Sequence, residues 1–221
     1  MPVRVPRRGL VVPAGLWALF LLQTALIALW PRLFVDVSVD DLIGGLQARL
    51  PRLRGAAGFV ARLGAREVLV PLVVGAGLVL GWRRRSLIGP ALLAGSYLLV
   101  AAATSLVKVE LARPQPLPLP GVPGRAFPSG HSAQAVVVFG ALVLLAPPEW
   151  RRRALMAAAG IVALVSVALL WRQAHWLTDM VGGITVGLAS LTTIDALLLR
   201  AGDDSTRHGV FDRHQLRVSR R

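Results

Sequence analysis

Long blocks of apolar residues without a single charge leave this chain few ways to fold. Leu10–Trp30 and Ser86–Val107 are uncharged and long enough to cross a bilayer as helices; Ala154–Trp171 is uncharged, and Val68–Trp82 is uncharged but short. Ala126–Pro148 is apolar after a polar opening, and Met180–Leu199 holds one acid, Asp195. Inside a bilayer every backbone polar group must be satisfied within the protein, so such blocks become helices. The reading is all-α: a six-transmembrane-helix bundle over residues 1–200, followed by a basic cytoplasmic tail over 201–221, disordered in part. A composition with 55% hydrophobic and 16% charged residues and no cysteine agrees, and it excludes a disulfide framework and thiolate metal sites.

The formal net charge is +14, but the basic residues fall in clusters between the apolar blocks, where a membrane protein places its anchors rather than a nucleic-acid surface. Arg4, Arg7 and Arg8 precede the first block, Arg83–Arg85 and Arg151–Arg153 fill two short connections, and six arginines lie from Arg200 onward. Alternating spans put all four clusters on one side. The positive-inside rule makes that side cytoplasmic, with both termini, in the cell membrane. The segment from Arg32 to Arg66 lies on the other side. Leu42, Leu46, Leu50, Leu53, Phe59 and Val60 are spaced there among six arginines, as in an interfacial amphipathic helix between helices 1 and 2.

Three polar stretches share that outer side. "KVELARPQP", Lys108–Pro116, holds the sole lysine of a chain with 24 arginines. "RAFPSGHSAQ", Arg125–Gln134, places Pro128 where a first helical turn accepts it and Ser129, Gly130 and His131 at the helix N-terminus, where free N–H groups attract anions. "WRQAHWLTDMVGG", Trp171–Gly183, sets His175 four residues before Asp179, a spacing that puts both on one helix face. Taken singly, Ser129 is a helix cap and the His–Asp pair an interfacial pair. Together, cations and backbone N–H groups suit a phosphoryl group, and two imidazoles suit a nucleophile and an acid. Metal chemistry is not expected.

These stretches resemble the signature of the type 2 phosphatidic acid phosphatases: Lys-x6-Arg-Pro, then Pro-Ser-Gly-His, then Ser-Arg-x5-His-x3-Asp. Pro128–His131 matches in full, His175 and Asp179 match the end of the third motif, and Lys108 and Pro116 match the ends of the first. Gln115 stands where the first motif has its arginine, and Ala168-Leu169 where the third has Ser-Arg. The resemblance implies a metal- and cofactor-independent membrane phosphatase. In it His175 attacks phosphorus, Asp179 orients His175, and His131 protonates the leaving oxygen and then activates water. Lys108, Ser129 and Gly130 bind the phosphate, with Arg172, Arg113 and Arg125 as the nearby arginines to replace the two missing. It implies lipid phosphates as partners: polyprenyl diphosphate, phosphatidylglycerol phosphate or phosphatidic acid. The alternatives are a lipid phosphotransferase, or a non-catalytic protein that binds or transports lipid phosphates.

Overall fold

A computed structural model describes residues 7–117 and 124–218. A 3-10 turn, Arg7–Leu10, leads into α1, Val11–Leu29. Then follow α2, Phe34–Arg49; α3, Leu53–Ala61, continued by a 3-10 turn, Arg62–Gly64; and α4, Arg66–Arg84. The remainder is α5, Ile88–Leu111; α6, Gly130–Leu145; α7, Pro148–Trp171; and α8, Leu177–Val218. The described residues contain no strand. Five stretches are long and apolar enough to cross a membrane: Val11–Leu29, Leu53–Arg83, Ile88–Leu111, Pro148–Trp171 and Leu177–Arg200. The sixth expected span, α6, has 16 residues, or about 24 Å of helix against a hydrocarbon core of about 30 Å.

α6 is short because both ends are fixed. Ser129 is its N-cap in extended conformation, so Pro128 lies before the helix rather than in its first turn. At the other end Ala146 and Pro147 are extended, and Pro148 opens α7. α6 packs among α4, α5, α7 and α8. A run of small and β-branched residues, Ala133, Ala135, Val136, Val137, Val138 and Ala141, is buried on nearly every side. Glycines on α8 make room for it. A Cβ at Gly183 would come within 2.5 Å of the Ser129 carbonyl oxygen, and one at Gly187 within 2.7 Å of the Ala133 carbonyl oxygen. Backbones this close are how helices associate where lipid offers no hydrophobic drive. α1 joins the rim through Trp17 Nε1, donating to Thr193 Oγ1 at 3.0 Å, and Gln23 Nε2, donating to Thr185 Oγ1 at 3.3 Å.

The segment expected as one amphipathic helix forms two. Pro51, which cannot donate a backbone hydrogen bond, stands at the break between α2 and α3. α2 is polar on its inner face. Its one buried residue is Asp36, while Phe34 and Leu42 are exposed. Gln47 donates to the Trp171 carbonyl, and Asp40 accepts from Gln173 Nε2 at 3.0 Å. α3 packs on α7 through Ala57, Ala61, Val165, Ala168 and Leu169.

Candidate active site

The three polar stretches meet at one end of the bundle. The C-terminal end of α5, the N-terminus of α6 and the turn between α7 and α8 are joined by backbone hydrogen bonds. Ala126 N donates to the Arg113 carbonyl at 3.0 Å and Ser129 N to the Asp179 carbonyl at 2.9 Å. Gly124 is required there, since a Cβ would meet the Ala112 and Arg113 carbonyl oxygens at 2.6 Å.

A cavity of about 420 Å³ opens at this junction, lined by Arg66, Glu67, Lys108, Gln115, Arg125, Gly130, His131, Gln134 and His175. Both expected catalytic histidines face it, with Lys108, Gly130 and Arg125. Lys108 Nζ donates to the Arg125 carbonyl, which ties the lysine to the strap entering α6. Three cations stand against one carboxylate, Glu67, so the lining carries an excess of positive charge. Arg66 Nε donates to Glu67 Oε1 at 3.0 Å, and both side chains are largely exposed at the mouth.

His175 is held from behind. Its Nδ1 lies 2.8 Å from the Ala126 carbonyl oxygen and 3.4 Å from Asp179 Oδ2. Both partners are acceptors, so the proton belongs on Nδ1 and Nε2 keeps its lone pair. The shorter contact is the backbone carbonyl, so Asp179 shares the orienting work. Asp179 also receives Trp176 N at 2.8 Å on Oδ2, the half of a capping box in which the third helical residue reaches back to the N-cap N–H.

The other Asp179 oxygen belongs to a closed network. Arg113 is 1% exposed, and its Nη1 donates to Asp179 Oδ1 and, at 2.9 Å, to Thr178 Oγ1. Nη2 donates to Asp36 Oδ2 at 2.6 Å and Nε to the Pro31 carbonyl at 2.8 Å. Asp36 in turn accepts from Thr178 N at 2.9 Å and Thr178 Oγ1 at 2.7 Å.

Three expected phosphate ligands therefore do not line the cavity. Arg113 donates to Asp179, Asp36, Thr178 and the Pro31 carbonyl behind His175. Ser129 is fully buried as the α6 cap, accepting from Ser132 N at 3.4 Å and bonded to Ser132 Oγ at 3.3 Å. Arg172 is the C-cap of α7 and lines a separate pocket with Arg54 and Arg62. The position three residues before it, Leu169, is 2% exposed in the apolar cluster between α3 and α7, where a guanidinium would have no partner. Asp179 lies one shell behind the cavity.

Sequence reading missed Arg66, Glu67 and Gln134 in the cavity, and Asp36 and Thr178 in the network. Gln134 is four residues after Gly130, so helical spacing alone could have found it. Arg66 closes the segment read as interfacial, but no spacing brings the start of α4 to the α6 N-terminus. That contact comes from the turn at Gly64, where a Cβ would lie 3.1 Å from the His131 carbonyl oxygen.

The fold and site define a helical membrane protein with a cation-rich cavity holding two histidines. The PAP2 superfamily profile matches residues 89–201, and the chain belongs to that family of membrane lipid phosphatases. Phosphatidylglycerophosphatase B of Bacillus subtilis (strain 168) is 27% identical over 190 residues, 80% of this chain and 89% of that protein. The crystal structure of a transmembrane PAP2-type phosphatidylglycerolphosphate phosphatase from Bacillus subtilis superposes with a TM-score of 0.69 at 24% identity, covering 84% of this chain and 94% of that one. LpxE of Aquifex aeolicus gives 0.59 at 20% identity, covering 76% and 98%.

Proposed function

We propose that the chain hydrolyses a lipid phosphate through a phosphohistidine on His175, without a metal ion. The observation that carries this is the orientation of His175, whose Nδ1 faces two acceptors while the ring lines the cavity. Nε2 attacks phosphorus and the bond to the lipid oxygen breaks. His131 gives that oxygen its proton, then takes one from the water that releases phosphate. Lys108, the Gly130 N–H, Arg125 and Arg66 hold the phosphate oxygens. Behind His175, Asp36 and Asp179 share a single arginine, Arg113, and Asp179 Oδ2 lies against the ring.

The lipid phosphates to test are phosphatidylglycerol phosphate, which the name of the Bacillus relative puts first, polyprenyl diphosphate and phosphatidic acid. The apolar tail enters from the bilayer. Residues 1–200 form a six-span domain, with α2 and α3 at the outer interface and a basic cytoplasmic tail from residue 201; the cavity faces outward. Phosphate release from this panel by purified protein with EDTA present tests the activity: release from none of the lipids, or loss of release with EDTA, overturns it. For the topology, Leu117→Cys in this cysteine-free chain should react with an impermeant thiol reagent on intact cells; protection there, with labelling of a cysteine placed beyond Arg200, reverses it.

A further inference from the structure

Beside the histidine cavity lies a second pocket of about 550 Å³, lined by Arg54, Gly55, Gly58, Phe59, Arg62 and Arg172. We propose that it binds the phosphate group of an anionic lipid that is held rather than hydrolysed. Arg54, Gly58 and Arg62 recur every four residues, so two guanidiniums flank a glycine on one face of α3 and the turn after it, and Arg172 at the end of α7 faces them.

No acid lines the pocket, and none of its arginines forms an ion pair among the described residues. This contrasts with Arg66, which has Glu67 beside it, and with Arg113, which is fully engaged. Guanidiniums present forked donors that fit phosphate oxygens in pairs. Phe59, 71% exposed on the same wall, offers an apolar surface to an acyl chain and points to a lipid rather than free phosphate. The pocket contains neither histidine, so it binds without chemistry. It shares the face of the bundle that holds His131, because the turn Arg62–Gly64 packs through Gly64 on the His131 backbone.

The test is retention of phosphatidylglycerol by the purified full chain after delipidation, read by native mass spectrometry with phosphatidylcholine as the reference. Variants are the triple Arg54→Gln/Arg62→Gln/Arg172→Gln, the cavity variant Lys108→Gln, and Gly58→Leu. The last fills the pocket without changing charge, and a Cβ at Gly58 meets no atom within 4 Å. The expected result is a fall in apparent affinity of roughly 100-fold in the triple variant. Gly58→Leu should lose retention and Lys108→Gln should keep it. Wild-type retention in the triple variant, or loss in Lys108→Gln alone, overturns the site. Wild-type retention in Gly58→Leu reduces it to diffuse surface charge and overturns the pocket. Binding of inorganic phosphate to the three arginines with no retention of phosphatidylglycerol overturns a lipid as the ligand.

Discussion

His175 stands between two polar clusters built from the same residue types and put to opposite uses. Behind it, Arg113, Asp36, Thr178 and Asp179 are closed, with each guanidinium nitrogen donating to an acceptor. In front, Lys108, Arg66 and Arg125 line an open cavity with Glu67 as their one carboxylate. Burial and pairing separate an arginine that holds the fold together from one left open to a ligand. A cation whose donors are spent has nothing to offer a phosphate, however near in sequence it lies to the motif.

The largest expected effect lies on the residue shared by both clusters. His175→Ala should lower phosphate release by on the order of 10⁴-fold or more, with the thermal midpoint in detergent nearly unchanged. Substantial turnover by the folded variant would remove His175 as nucleophile. In the open cluster, Arg66→Ala combined with Arg125→Ala should lower kcat by about 10²–10³ on the best lipid of the panel, with little change in the thermal midpoint. Wild-type kcat would make both arginines surface anchors.

The closed cluster should break differently. Arg113→Met strands two buried carboxylates and should cost about 3–5 kcal/mol of stability. Thermal or denaturant unfolding is the measurement, and adding Asp36→Asn should restore part of the loss. A variant that unfolds like wild type but has lost lipid affinity would return Arg113 to the ligand set. The smallest effect belongs to Ser129→Ala, which removes a cap worth about 1 kcal/mol. Turnover should stay within a few-fold of wild type; a loss of a hundredfold at unchanged stability would mean that the hydroxyl reaches the substrate.

The helical class and most of the spans were legible because charge-free length is a property of the sequence alone. That Lys108, Gly130, His131 and His175 line one cavity was legible because their motif spacing ties them to helix ends. The arginines were not. Arg113, Arg125 and Arg172 look alike beside the motifs, and only tertiary burial assigns one to a network, one to the cavity and one to another pocket. Asp36 was invisible for the same reason. Its partner Arg113 is 77 residues away, and a lone acid in a segment read as interfacial carries no local signal. The length of α6 was overestimated because apolar composition continues past the residues that cap it at both ends.

The backbone bond from Ser129 N to the Asp179 carbonyl joins the anion-facing turn of α6 to the turn that carries His175, and Gly183 lets the two main chains touch. His175 and the N-terminus of α6 are thereby one mechanical piece. α1 reaches the same piece, because Phe20 stacks on Phe127 with ring centroids 6.1 Å apart. On the proposed mechanism, the attacking ring and the phosphate it attacks are therefore carried by one rigid unit and keep a fixed separation.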